Sequence, residues 1–141
     1  MQDLRQIIAR HRSKKRVDEN DKVKDLEKKR YATTSDIPDL FFDDILVRFK
    51  LNRIEILVLM YLYRVVWCRP NLYREHGITP VVSHSDLEKL LNVEHSELSR
   101  SFHNLENLQL IETIKAGQYF VRKYFVAEHD KKYGQSYDNF L

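Results

Sequence analysis

The segment "HSELSRSFHNLENL" at residues 95–108 carries hydrogen-bonding side chains at helical spacing. At about 100° per residue, these side chains lie on or beside the helix face opposite Leu98 and Phe102. A guanidinium can bond guanine through two nitrogens, and a carboxamide can bond adenine in a similar way, so this mixture can read base-pair edges. The candidate base-reading residues are Ser96, Ser99, Arg100, His103, Asn104 and Asn107.

The same pattern also fits a helix face that is simply solvated. Three carboxylates favour this second interpretation, because Glu94, Glu97 and Glu106 would repel DNA phosphates. Glu97 could instead accept a hydrogen bond from a cytosine amine, although Glu is used for this less often. Both interpretations stay open at this point.

Further polar and basic side chains follow the helix, in a predicted β-hairpin. They are candidates for phosphate contacts, or for charges that protect a strand edge from pairing with other chains. If the chain binds DNA, Arg100 should share one face with the three basic residues of this group, and an electrostatic map would help to separate DNA binding from protein interaction. The group consists of Lys115, Gln118, Arg122 and Lys123.

Most of the excess positive charge precedes the predicted fold. The chain has a net charge of +3, yet residues 1–30 hold eleven Lys or Arg against six Asp or Glu. Residues 51–126 are close to neutral, with nine against eight. The basic tract could follow phosphates or enter a minor groove, or it could be a solvated charge run. Its residues are Arg10, Arg12, Lys14, Lys15 and Arg16.

Patterns typical of catalysis or metal binding are missing from the sequence. Its three glycines form no GxGxxG and no phosphate-cradling loop. The six histidines show no metal-ligand spacing with one another or with Cys68. Cys68 follows Trp67 at the end of an apolar stretch, which indicates a core thiol. We therefore expect no enzyme activity, no cofactor, no metal and no small-molecule ligand.

The sequence predicts a cytoplasmic protein. No run of about 18 apolar residues is present, so no transmembrane helix and no membrane partner are expected. The N-terminus lacks the apolar and basic arrangement of a secretory signal. A single cysteine fits a reducing compartment.

Two helices are predicted before residue 70. The stretch "DLFFDDILVRF" at 39–49 is short and strongly apolar. A central core helix near 53–67 has a broad apolar stripe, and Asn52 and Glu55 precede it with capping-box spacing. Pro70 ends this region, and the loop that follows is expected to be exposed.

A helix-turn-helix is predicted after this loop. "VVS" at 81–83 indicates a short strand, and a second capping box, Ser85 with Glu88, indicates a helix at 86–91. Asn92 stands where helices often end in left-handed geometry, and Val93 would plug the turn. The helix at 95–108 follows, with the core face Leu98, Phe102 and Leu105.

The remaining segment predicts a hairpin, and the order of elements predicts the fold. "LIETIK" and "QYFVRKYFVA" flank the turn Ala116-Gly117. The fold class is mainly α with a small β-hairpin, a winged helix-turn-helix with an N-terminal helical extension. The expected organisation is a basic arm and linker at 1–36, the winged helix at 37–126 and a tail at 127–141.

Two long stretches of the chain resemble a known family. "IPDLFFDDILVRFKLNRIEILVLMYLYR" and "VVSHSDLEKLLNVEHSELSRSFHNLENLQLI" are similar to the N-terminal winged-helix domain of phage replication protein O and related replisome organisers. The likeness covers residues 37–126. Residues 84–126 are more loosely similar to MarR-type regulators. The resemblance implies double-stranded DNA binding in replication or transcription control, in a bacterial or phage setting.

Two functions and two oligomeric states remain open from the sequence. The winged helix could bind double-stranded DNA, or it could serve as a protein-interaction module, which the neutral core and the acidic helix favour. The chain could form a homodimer, because the apolar helix at 39–49 adds surface beyond the needs of one small domain. Alternatively, the apolar residues of that helix cap their own core, namely Phe41, Phe42, Ile45 and Leu46.

Overall fold

The computed structural model describes residues 33–135. The chain divides into two units, Met1–Ser35 and Asp36–Leu141, and nearly all described residues belong to the second. This unit is mainly helical and contains a two-stranded antiparallel sheet, which confirms the mainly α class with a small hairpin. The predicted basic tract at 10–16 lies outside the described residues.

The first helix, α1, consists of a π-helical turn, Phe41–Ile45, followed by one α-helical turn, Leu46–Arg48. The Leu46 N–H closes the π turn by donating to the Phe41 carbonyl. Phe41 and Ile45 are buried, whereas Phe42 is 53% exposed. The predicted helix is confirmed, with one side in the core and the other facing solvent.

Helix α2 spans Arg53–Tyr63 and continues as a π-helical turn, Arg64–Cys68. Its predicted capping box is confirmed: the Glu55 N–H donates to Asn52 Oδ1 at 2.8 Å, and the Asn52 N–H donates to the Glu55 carboxylate at 2.9 Å. This exchange satisfies two N–H groups at the helix start and accounts for the burial of a carboxylate.

Cys68 lies at the margin of the core. Its side chain is half-buried, and its thiol donates to the Asp36 carbonyl at 3.4 Å. The neighbouring Trp67 indole donates to the Val121 carbonyl at 3.1 Å and so connects the end of α2 to the hairpin.

Residues 81–83 do not form the predicted strand. The chain pairs with the hairpin earlier, after a 3₁₀ turn at Arg74–His76, through an isolated antiparallel bridge at Ile78. The N–H of the following residue, Thr79, donates to the Tyr119 carbonyl at 2.9 Å. Beyond Thr79 the pairing is interrupted, and it resumes where the Val82 N–H donates to the Gly117 carbonyl at 2.7 Å. Ile78 and Thr79 are buried, so the loop after residue 70 is only partly exposed.

Helix α3, His84–Leu91, begins two residues earlier than predicted. The hydroxyl of Ser83 caps it by accepting from the Asp86 N–H at 3.4 Å. The predicted capping box of Ser85 with Glu88 is therefore wrong. A serine closer to the loop occupies the cap position, which places Ser85 inside the first turn.

The predicted left-handed turn is confirmed. Asn92 has φ 53° and ψ 53°, and its N–H bonds the carbonyls of Glu88 and Lys89. The Val93 N–H also donates to the Glu88 carbonyl, at 3.0 Å, so two carbonyls in the last turn of α3 have partners. Val93 packs against the core, as predicted.

Helix α4, His95–Asn107, packs against α2 and α3. Its predicted core face is confirmed, since Leu98, Phe102 and Leu105 are all buried. The chain then reverses at Gln109, which has φ 61°, and the reversal places Leu110 in the core.

The hairpin consists of β1, Ile111–Lys115, and β2, Gln118–Val121. Ile111 pairs with Val121 at its base, and Lys115 pairs with Gln118 beside the predicted turn. The second strand is shorter than predicted, because Phe125 turns the chain at φ 69°. The Phe125 ring is buried and stacks on Tyr63, with centroids 4.8 Å apart.

Beyond the hairpin, a 3₁₀ turn, Ala127–His129, leads into a short helix α5, Asp130–Tyr133. The buried core side chains come from α1, α2, α3, α4, both hairpin strands and the turn at Phe125. No helix among residues 33–135 is long and apolar enough to cross a membrane. The fully buried large side chains are Tyr63, Phe120, Phe125, Ile45, Leu59, Leu62, Ile78, Leu87, Leu98, Leu105, Leu110 and Ile111.

Candidate nucleic-acid interface

The α3–turn–α4 unit is held together on both of its sides. Leu87 of α3 and Leu98 of α4 are buried in the common core. On the outer side, His95 Nδ1 lies 2.6 Å from a carboxylate oxygen of Glu88, across the Asn92 turn. These contacts fix the start of α4 relative to α3.

The outer face of α4 is polar and accessible. Its exposed residues lie opposite the buried Leu98 and Phe102, as the helical spacing predicted. Asn104 is half-buried and borders this face. The exposed candidates are Ser96, Ser99, Arg100, His103 and Asn107.

Arg100 lies in the first half of α4 with its guanidinium facing outward. Neither Glu94 nor Glu97 holds it in an ion pair, and within residues 33–135 it makes no salt bridge or hydrogen bond. Glu94 occupies the N-cap position of α4 without a side-chain hydrogen bond to the helix. Arg100 is therefore available to an external partner.

The sequence suggested that the Glu106 carboxylate would repel DNA phosphates at the outer face of α4. In the structure this carboxylate is bonded to the hairpin instead. Its carboxylate accepts a hydrogen bond from the Thr113 hydroxyl of β1. Helix α4 thus uses this side chain to hold the hairpin. Glu94 and Glu97 remain as the acidic groups near Arg100.

Gln118 is not available as a DNA contact. Its side chain is buried, with 7% exposure, and its amide nitrogen donates to the Thr79 carbonyl at 3.1 Å. Its partner lies in a loop 39 residues earlier in the chain, so this internal bond has no local signal in the sequence. Lys115, at the other side of the turn, is exposed.

Arg122 is engaged inside the protein, contrary to prediction. Its Nε donates to Asp130 at 2.8 Å and its Nη1 donates to the Gln109 carbonyl at 2.9 Å, and the side chain is 12% exposed. Lys123 is exposed and lies over the Trp67 ring, 5.8 Å from the centroid.

Both residues follow the base of the hairpin. With about 3.3 Å per residue along a strand, they lie more than about 10 Å from Lys115 at the turn. Arg122 and Lys123 are thus separated from Lys115 at the hairpin tip, so the expected grouping of all four basic side chains on one face is not found.

A partly buried polar contact beneath α4 was not predicted. His84, the first residue of α3, has its Nε2 2.6 Å from the Tyr119 hydroxyl oxygen, and its ring stacks on Phe102 with centroids 4.6 Å apart. Burial raises the pKa of Tyr119 above its ordinary value, and the nearby carboxylate of Glu106 adds to this effect. The partners are 35 positions apart in the sequence, so no local pattern predicts this contact.

The described part of the chain contains no cluster of three or more His, Cys, Asp or Glu that could hold a metal ion. An open depression of about 350 Å³ lies near the C-terminal end of α4, away from Arg100. Its lining is mainly polar, and Arg122 there is already bonded internally. The lining residues are Glu106, Gln109, Ile111, Glu112 and Arg122.

No protein-family model, curated protein or solved structure matches the chain. The resemblance to the replication protein O domain thus depends on the quoted residues alone and stays a prediction.

Proposed function

We propose that the chain binds double-stranded DNA as a winged helix-turn-helix, with α4 in the major groove and no catalytic step. The observation that carries the proposal is the outward, unpaired Arg100 in the first half of α4. In helix-turn-helix docking, this half of the second helix approaches the base edges. From the resemblance to replication and MarR-type proteins, we infer that such binding serves replication or transcription control.

The energies favour a base contact for Arg100. A bidentate contact between Arg and guanine is worth roughly 1–3 kcal/mol. A competing surface ion pair with Glu94 or Glu97 would be worth at most about 1 kcal/mol, and neither pair is formed. On a cognate site the guanine is therefore the preferred partner.

The hairpin offers fewer side chains for DNA contact in this proposal than the sequence suggested. Lys115 supplies a cation beside the turn, where a wing meets the DNA backbone. Gln118 and Arg122 are already used inside the fold. The arm residues 10–16 would add phosphate contacts that do not depend on base sequence.

Selection from a random duplex library, followed by binding measurements over a salt series, tests the proposal. Arg100→Ala is expected to cost about 1–3 kcal/mol on the selected site and to relax choice at one base pair, with little effect on unrelated duplexes. Arg64→Ala is a matched control, since Arg64 is also exposed but lies at the end of α2. An equal loss on every duplex would make Arg100 a phosphate contact.

A protein-interaction module is the second candidate function. It is favoured by the internal use of Arg122, which leaves Glu94 and Glu97 beside a single arginine on α4. Absence of binding to any duplex at low salt, with the fold intact by circular dichroism, would support this candidate and contradict DNA binding.

A further inference from the structure

Helix α1 has an unpartnered apolar side. Phe42 is 53% exposed and Val47 is 72% exposed, whereas Phe41 and Ile45 of the same helix are in the core. Phe41 therefore caps its own core, but Phe42 does not. The edge of the Phe42 ring meets Phe41 at a centroid distance of 5.3 Å, which holds the exposed ring in place.

The π-helical turn brings these two exposed side chains toward one side of α1. In a regular α-helix, residues five apart point about 140° away from each other. A π turn contains more residues per turn, so it reduces this angle between Phe42 and Val47. Phe42 and Val47, the apolar patch of α1, therefore lie closer to one side than they would on a regular α-helix.

Opposite charges flank the patch. Asp39 precedes α1 and Lys50 follows it, both are exposed, and neither forms a salt bridge within residues 33–135. Asp39 and Lys50 are equally far in sequence from the midpoint between Phe42 and Val47. An antiparallel copy of α1 that places Phe42 on the partner's Val47 would therefore also place Asp39 near the partner's Lys50.

We propose that this outer side of α1 binds a second copy of the chain, with the two α1 helices antiparallel about a two-fold axis. Such an isologous contact repeats each interaction twice, giving two Phe42–Val47 contacts and two Asp39–Lys50 pairs. A parallel arrangement would bring like charges together. The inference is independent of DNA binding and is tested without DNA.

The size of the patch sets the strength of the dimer. The segment 39–50 is about 18 Å long, and one side of it offers less than the roughly 800 Å² per partner of a standard stable interface. We expect a dissociation constant on the order of 10–100 µM for the full chain.

Sedimentation equilibrium of the full chain from about 5 to about 200 µM measures this association. Replacing Phe42 and Val47 together by Ser should weaken it at least about tenfold, because the apolar contact is lost. Leu72→Ser is the matched control, since Leu72 is 94% exposed in the loop after α2 and should leave association unchanged. A 17.0 kDa species at every concentration would overturn the proposal.

A charge exchange tests the antiparallel geometry separately. Asp39→Lys alone and Lys50→Glu alone should each weaken self-association, whereas an equimolar mixture of the two variants should associate more strongly than either one. Circular dichroism confirms that each variant is folded. Self-association that is unchanged in both variants, or a mixture no stronger than its components, would overturn the α1 arrangement.

Discussion

His84 Nε2 and the Tyr119 hydroxyl oxygen lie 2.6 Å apart and join the first turn of α3 to the second hairpin strand. Phe102 of α4 contacts both rings, with centroids 4.6 Å from His84 and 4.7 Å from Tyr119. Three elements of the proposed DNA-binding unit therefore meet at one polar contact. Its removal is expected to affect their relative positions as well as stability.

Tyr119→Phe keeps the ring and removes the hydroxyl. We expect a loss of about 0.5–1.5 kcal/mol in the free energy of unfolding, since one partly buried hydrogen bond disappears. Urea denaturation of this variant, of His84→Ala and of the double variant measures the coupling. Additive losses would show that the two side chains do not interact in solution.

Leu98→Ala should destabilise the protein by about 2–5 kcal/mol, because it opens a cavity beneath α4. Leu98 has no exposed surface, whereas Leu90 of α3 is 64% exposed and serves as the control. Leu90→Ala should change the free energy of unfolding by less than about 0.5 kcal/mol. A loss below about 1 kcal/mol for Leu98→Ala would show that this face of α4 is not core.

Glu94→Ser should stabilise α4 and strengthen DNA binding. A serine can cap the helix, which is worth about 1 kcal/mol, while loss of the favourable carboxylate–dipole interaction costs about 0.3 kcal/mol or more. The melting temperature and the affinity for a non-specific duplex measure the two effects. Glu94→Gln removes the charge without adding this cap, so it should strengthen binding without the gain in stability.

Stability should fall as the pH rises above 10. Burial raises the pKa of both Tyr63 and Tyr119 above the ordinary value of 10.0, so the folded protein keeps protons that the unfolded chain releases. Below pH 10 both states hold these protons, and the two tyrosines add no pH dependence. Urea midpoints of the native protein and Tyr63→Phe between about pH 8 and about pH 11 measure the effect. Equal slopes in the two proteins would contradict it.

Deletion of residues 1–30 should weaken binding to all duplexes by a similar factor. The deleted segment holds eleven Lys or Arg, so fewer counterions are released and the dependence of affinity on salt becomes less steep. Fluorescence anisotropy on one selected and one unrelated duplex, over a salt series, measures both quantities. If the affinity and its salt dependence are both unchanged, residues 1–30 do not contribute to DNA binding.

Local patterns in the sequence predicted the local structure. Asn52 and Glu55 are three residues apart and exchange hydrogen bonds as expected. Asn92 ends α3 in left-handed geometry, and Leu98 and Phe102 share a buried face. Each of these features depends on residues within one or two helical turns.

The errors arose where the partner is distant or where two local signals compete. Gln118 and Tyr119 are bonded to residues of the loop and of α3, and Arg122 is bonded to Asp130 of α5. No periodicity in the sequence encodes these pairs. At the start of α3, both Ser83 and Ser85 fit the pattern of an N-cap residue, and Ser83 is the one that caps the helix.

The tip of the hairpin is attached to the rest of the fold. The Val82 N–H donates to the Gly117 carbonyl at 2.7 Å, and a Cβ at Gly117 would lie only 3.0 Å from the Val82 carbonyl oxygen. The backbone of the hairpin tip is thus fixed by contacts within the fold. Ordering a side chain on binding costs about 0.5–1.5 kcal/mol. If Lys115 contacts a ligand, only its side chain would lose conformational entropy, because the backbone at Lys115 is already fixed.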